Sequence, residues 1–137
     1  RFLLEELTSR INENLRYQIP FSMVIFFFPE QLLEEMRKKH HTSILGDIST
    51  AILKKDTRAV DELARMGNSL VVLLPSVGRA GATVCANRLE SKMSDYLERF
   101  FRQPEIEGIP DITIYEYPED KEAIEILLSR LKGPAQG

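Results

Sequence analysis

The residues with the clearest binding chemistry are Arg58 and Asp61, which stand three positions apart in "RAVD". A guanidinium can donate paired hydrogen bonds to phosphate oxygens or to the O6 and N7 atoms of guanine. A carboxylate can accept hydrogen bonds from the N–H groups of guanine. The same two side chains can instead form a surface ion pair, which stabilises a fold by less than about 1 kcal/mol. The spacing alone leaves both interpretations open.

A tight hairpin is predicted shortly after this pair. Apolar segments flank Gly67 and Asn68, and both residue types tolerate the positive φ angles that short hairpin turns need. We expect strands at 60–66 and 69–74, with Pro75 ending the second strand. The tip has no acidic residue and so offers no anionic oxygen to a metal ion.

Length and composition indicate one globular domain that spans residues 1–137. The net charge of −3 argues against a nucleic-acid polymer as the partner. The single cysteine, Cys85, excludes an internal disulfide framework, and no apolar run approaches the roughly 20 residues that span a bilayer. Because the chain lacks a starting Met, we interpret it as a cytoplasmic fragment of a longer protein, whose membrane anchor, if it has one, lies upstream.

Hydrophobic periodicity predicts the elements that must position these residues. We expect an entry helix within 1–18, and the predicted strands besides the hairpin are 21–28 and 111–117. Further helices are predicted at 30–39, 43–55, 79–101 and 119–131, with a loop at "QPEIEGIP". This order contains a βαββαβ core. It predicts an α+β, ferredoxin-like fold, with a central antiparallel sheet flanked by helices and the core helices on one face.

The order of elements and several motifs resemble the GGDEF domain of the diguanylate cyclase family, over nearly the whole chain. The family segment R-x-x-D-x-x-x-R-[YF]-G-G-D-E-F-x-V-L-L-P is similar to "RAVDELARMGNSLVVLLP". A family Gly-Asp pair corresponds to Gly46-Asp47, the A-x-R-L pattern resembles "CANRLESKM", and the last strand and turn resemble "ITIYEYPED". The resemblance implies the nucleotidyl cyclase-like GGDEF fold.

The chain departs from the family where the family holds metal ions. Neutral side chains occupy the signature hairpin, which is one residue shorter than the family's, and they are Gly67, Asn68, Ser69 and Leu70. Phe27 and Pro29 stand on the two acid positions of the family's Asp-x-Asp motif. Family cyclases use these carboxylates to bind metal ions for phosphoryl transfer. We therefore expect a degenerate GGDEF domain that is not an enzyme and has no catalytic residues, metal or cofactor.

The resemblance also implies a second site, away from catalysis. The family's inhibitory site binds cyclic di-GMP through the R-x-x-D motif and an arginine on the next helix. These positions fall on Arg58, Asp61 and Arg88. We expect a bacterial signal-transduction domain that binds cyclic di-GMP there and acts on an upstream sensory domain or a homodimer partner.

Three other functions stay open. The chain could be a ligand-free interaction or dimerisation module that pairs through the helix at 2–16. It could be an allosteric GTP-binding domain, and an active cyclase is the remaining alternative. Three further residues have structural interpretations: Arg65 supports a neighbouring strand, Cys85 is buried and inert, and the pair His40-His41 ends a helix.

Overall fold

The computed structural model describes residues 2–133, and Arg1 and residues 134–137 at the ends of the predicted domain lie outside the described residues. Its four strands are β1 (Phe21–Phe27), β2 (Glu62–Met66), β3 (Ser69–Pro75) and β4 (Asp111–Tyr117). The longer helices are α1 (Phe2–Tyr17), α2 (Glu30–His40), α5 (Arg79–Leu97) and α7 (Lys121–Leu131). The shorter ones are α3 (Ile44–Ile48), α4 (Lys54–Asp56) and α6 (Gln103–Ile106), and a π-helical turn at Ser49–Leu53 joins α3 to α4.

The strands form one sheet in the order β2-β3-β1-β4, and all three neighbouring pairs are antiparallel. In the middle of the sheet, Val24 lies opposite Val72 on one side and Ile114 on the other. The first strand is therefore central although it comes early in the chain. This topology confirms the predicted ferredoxin-like βαββαβ core.

Alternate residues of the central strands face two separate cores. Val24 and Phe26 pack on the face covered by α2, α3 and α5, whereas Phe21 and Met23 pack on the face covered by α1 and α7. The core helices thus lie on one face, as predicted, and α1 and α7 cover the other. Burial on both faces explains the continuous apolar run of β1.

Several predicted boundaries are wrong. The helix predicted at 43–55 is divided by the π-helical turn, and the helix predicted to 101 ends at Leu97. Beyond Leu97 the backbone tightens, with the N–H of Phe100 donating to the Leu97 carbonyl at 2.9 Å. The loop predicted at "QPEIEGIP" contains α6, whose first turn is held where Glu105 accepts a hydrogen bond from the N–H of Arg102 at 2.8 Å.

Within residues 2–133, none of the helices combines the length and the apolar character needed to cross a membrane.

Candidate functional site

Arg58 and Asp61 close a tight turn immediately before β2. The backbone N–H of Arg58 donates to Asp61 Oδ2 at 2.7 Å. The guanidinium of Arg58 donates to Asp61 Oδ1 from Nε at 3.0 Å and from Nη2 at 2.7 Å. The backbone N–H of Asp61 donates in return to the Arg58 carbonyl at 3.0 Å. The Asp61 side chain is only 2% exposed, whereas that of Arg58 is 50% exposed. The carboxylate therefore holds the guanidinium in place from the buried side.

A second anchor fixes the Arg58 guanidinium at the end of β3. Its Nη2 atom donates to the carbonyl of Pro75 at 3.0 Å, across the gap between the turn and the sheet. Among residues 2–133, Nη1 has no hydrogen-bond partner. Arg58 thus presents free N–H donors while its orientation is fixed.

Arg88 approaches the same place from α5. Its Nη2 atom donates to the backbone carbonyl of Asp56, at the end of α4, at 2.8 Å. The same atom lies 3.8 Å from the Sγ atom of Cys85, one turn earlier on the helix. Within the described part of the chain, Nε and Nη1 of Arg88 have no partner, so this guanidinium also keeps free donors.

These three predicted site residues line one cavity of about 230 Å³. Two guanidiniums and one carboxylate give its polar side an excess of positive charge. The other lining residues are apolar or small, and they are Leu74, Val77, Gly81, Val84 and Cys85. The arrangement can accept an anionic group on the arginines and an apolar or planar surface against the opposite wall.

Sequence reasoning did not identify the apolar wall. Part of this wall could have been predicted from the sequence, because Gly81, Cys85 and Arg88 recur at the three- and four-residue spacing of one helix face. The contributions of Leu74 and Val77 depend on how β3 packs against α5, which no local pattern reports.

Cys85 is one of the residues that line the cavity. The residue is 8% exposed, which confirms the predicted burial. Burial raises the pKa of its thiol, and the positive charge of Arg88 opposes that shift in pKa. The thiol is therefore largely protonated at neutral pH and is a weak nucleophile.

The hairpin tip is tied to the start of α2. Gly67 has a φ angle of 61°, the left-handed region that a tight turn requires at this position. The Asn68 side chain donates to Glu30 Oε1 at 2.9 Å, and the Asn68 carbonyl accepts from the N–H of Phe28 at 3.0 Å. Beyond the tip, Ser69 and Leu70 are buried. Glu30 therefore places a carboxylate at the tip.

Three other positions considered in the sequence lie near the tip, and each has different neighbours. Arg65 Nε donates to the Gly67 carbonyl at 3.3 Å, as expected for a residue that supports the hairpin. Phe27 is 44% exposed at the end of β1, and Pro29 precedes α2. Among residues 2–133, no group of three or more His, Cys, Asp or Glu side chains is placed to hold a metal ion.

Comparisons with known proteins point to one architecture. No protein-family model matches the sequence, and no curated protein matches it. The chain is similar to the crystal structure of a DGC (diguanylate cyclase) protein from Thermotoga maritima, with 20% sequence identity and a TM-score of 0.56. The match covers 94% of this chain and 90% of the Thermotoga maritima chain. The chain has the fold of a diguanylate cyclase protein. The predicted GGDEF-like, nucleotidyl cyclase-like fold is thus confirmed.

A second solved structure, PelD 158-CT from Pseudomonas aeruginosa PAO1, has the same fold. It matches 93% of this chain with 21% sequence identity and a TM-score of 0.54. This chain spans only 42% of that structure. The likeness therefore concerns one part of a larger protein.

The prediction that the chain is not an enzyme is contradicted by the first comparison, because a DGC protein shares the fold over almost the full length of both chains. That prediction depended on neutral side chains at the hairpin tip and on Phe27 and Pro29 at the end of β1. These side chains occupy only a few positions, and the same fold occurs in a diguanylate cyclase protein. The prediction also set Glu30 aside as a single displaced carboxylate, whereas its side chain lies against the tip.

Proposed function

We propose that this GGDEF-like domain binds cyclic di-GMP in the cavity formed by Arg58, Asp61 and Arg88. One observation carries the proposal: two anchored guanidiniums face a single cavity, and each keeps N–H donors without a partner among the described residues. Each arginine is fixed through a backbone carbonyl, so little side-chain freedom is lost when a ligand binds. The proposal concerns binding and is independent of whether the chain also turns over GTP.

The chemistry of the ligand matches the donors in the cavity. Cyclic di-GMP carries two phosphates, and each guanine presents O6 and N7 as acceptors. Arg58 and Arg88 can each donate to either kind of group, and such charge-assisted hydrogen bonds are among the strongest in proteins. The excess positive charge of the cavity suits a dianion.

Asp61 has a different role from the one its residue type first indicated. Its carboxylate is 2% exposed and already accepts three hydrogen bonds from Arg58. In this arrangement Asp61 positions Arg58, and the ligand is contacted by the arginine. Direct recognition of guanine N–H groups by Asp61 would require the ligand to displace the guanidinium from Oδ1.

The size of the cavity indicates how the ligand lies. A volume of about 230 Å³ is below the roughly 300–1,000 Å³ typical of pockets that enclose a ligand. One part of cyclic di-GMP fills the cavity and the rest extends over its rim, where the lining residue Val84 is 65% exposed. The outer part of the ligand then faces solvent, where a second domain or a second copy of the chain can contact it and receive the signal.

Equilibrium dialysis with labelled cyclic di-GMP tests this proposal. We expect Arg58→Gln and Arg88→Gln each to weaken binding about tenfold or more, since each removes charge-assisted hydrogen bonds. Arg102→Gln, an exposed arginine outside the cavity, is the matched control for net charge and should bind like the unaltered chain. Equal weakening by all three variants would show that binding is non-specific, and no binding by the folded chain would reject the proposal.

A further inference from the structure

Strand β4 is an edge of the sheet that favours pairing with another strand. The order β2-β3-β1-β4 leaves one side of β4 without a neighbouring strand. Such an edge presents backbone N–H and C=O groups that can pair with a strand of another molecule. The sequence of β4, "DITIYEY", is rich in the β-branched and aromatic residues that favour strands. A free edge of this composition is a surface for strand addition.

The open side of β4 carries the backbone groups of three alternate residues. Strand β4 pairs with β1 antiparallel, and Ile114 lies opposite Val24. From outside the sheet, Arg79 Nη1 donates to the Ile114 carbonyl at 3.2 Å, so this carbonyl points away from β1. In an antiparallel pair, the N–H and C=O groups of one residue point to the same side, and residues alternate between sides. Ile112, Ile114 and Glu116 therefore direct both backbone groups to the open side.

Arg79 and Asp120 occupy part of this open side. The Arg79 guanidinium, at the first residue of α5, also forms an ion pair with the Asp120 carboxylate, immediately before α7. Asp120 Oδ2 accepts a hydrogen bond from the N–H of Glu116 at 2.8 Å, and the N–H of Asp120 donates to the Glu116 carbonyl at 2.6 Å. We name this arrangement of Arg79 and Asp120 the edge cap.

The edge cap encloses β4 from both faces of the sheet. Helix α5 packs into one core and α7 into the other, so the ion pair joins the two helical layers around the strand. Among residues 2–133, the N–H and C=O groups of Ile112 and the N–H of Ile114 keep no hydrogen-bond partner on the open side. A strand that pairs along the whole edge must displace the cap from Ile114 and Glu116.

We propose that the edge cap keeps β4 closed, and that opening it lets β4 pair with β4 of a second copy of the chain. The edge is complementary to itself. In an antiparallel pair centred on Ile114, Ile112 of each copy lies opposite Glu116 of the other, so every outward backbone group finds a partner. Thr113 then lies opposite Tyr115, a favourable pairing of a β-branched with an aromatic side chain.

Sedimentation velocity and amide hydrogen exchange of the 137-residue chain test the proposal with Arg79→Gln and Asp120→Ala. We expect both variants to gain mass over the unaltered chain as the concentration rises. Exchange of the Ile112 and Ile114 amides should slow about tenfold or more as the variants associate, because pairing protects outward N–H groups. In the unaltered chain, these two amides should exchange at the same rate at all concentrations. Variants that keep the mass of the unaltered chain would overturn the proposal.

Two control variants separate strand pairing from loss of charge and loss of stability. Arg130→Gln removes the same charge from an exposed position of α7, outside the edge cap. Gly67→Ala strains the turn between β2 and β3 and so destabilises the chain without altering the cap. Both should keep the mass of the unaltered chain. Association of Gly67→Ala to the same extent as Arg79→Gln would overturn the proposal, as would association that leaves the Ile112 and Ile114 amides unprotected.

This inference is independent of cyclic di-GMP binding, because neither Arg79 nor Asp120 lines the Arg58 cavity.

Discussion

Removing the guanidinium of Arg58 should destabilise the chain more than its half-exposed position suggests. The substitution Arg58→Met keeps the aliphatic stem over Asp61 but removes two of the three hydrogen bonds that the carboxylate accepts. Only the backbone N–H of residue 58 then remains on Oδ2. Because the Asp61 side chain is 2% exposed, water cannot easily replace the lost donors.

The expected magnitude lies between two limits. A fully exposed ion pair contributes less than about 1 kcal/mol, whereas a hydrogen bond to a charged group contributes about 1.5–3 kcal/mol. Arg58 is 50% exposed and solvent screens its charge in part, so we expect Arg58→Met to lower the free energy of unfolding by about 1–2 kcal/mol. Replacing Asp61 by Asn removes the buried charge. In that background, Arg58→Met should lower the free energy of unfolding much less.

Urea unfolding of the unaltered chain, the two single variants and the double variant measures this coupling. We expect a coupling energy of about 1 kcal/mol, with the dependence of unfolding on urea unchanged. A coupling energy below about 0.3 kcal/mol would refute the reasoning, because Arg58 and Asp61 would then behave as an ordinary surface pair.

Three further predictions concern Cys85, Tyr96 and the hairpin glycine Gly67. Iodoacetamide should alkylate Cys85 more slowly than free cysteine at neutral pH, because burial raises its pKa, and alkylation at the rate of free cysteine would contradict that burial. Burial and the hydrogen bond to Asp47 raise the pKa of Tyr96, so its stabilising contribution is present below the unfolded tyrosine pKa and lost as the pH rises towards the folded one. Tyr96→Phe should therefore flatten the alkaline fall in the free energy of unfolding, measured with urea, and an unchanged profile would show that another group is responsible. Gly67→Ala should cost about 1–2 kcal/mol in the same assay, because the φ angle of 61° strains an L-residue, and Gly67→Asn should cost less.

The sequence predicted the elements whose patterns are local. Strand β4 has the predicted bounds of 111–117, because alternating residues and flanking prolines mark both ends. The apolar run of β1 correctly indicated a strand covered on both faces. The π-helical turn at Ser49–Leu53 could not be predicted, because the spacing of its apolar residues fits an uninterrupted α-helix equally well.

The candidate sites show the same limit. The spacing of Arg58 and Asp61 placed them together, but not the near-complete burial of the carboxylate beneath the guanidinium, which depends on the dihedral angles of the turn. Arg37 and Arg65 line one cavity although they are far apart in sequence. Their proximity depends on how helix α2 packs over the edge strand β2. Tertiary packing of this kind leaves no local pattern in the sequence.

Calorimetric titration of the chain with cyclic di-GMP, beside the Arg88→Gln variant, tests the central claim most directly. We expect saturable binding by the unaltered chain and at least about tenfold weaker binding by the variant, with circular dichroism showing that both are folded. Absence of heat from the folded chain, or equal binding by the two proteins, would contradict the claim that this cavity is the cyclic di-GMP site.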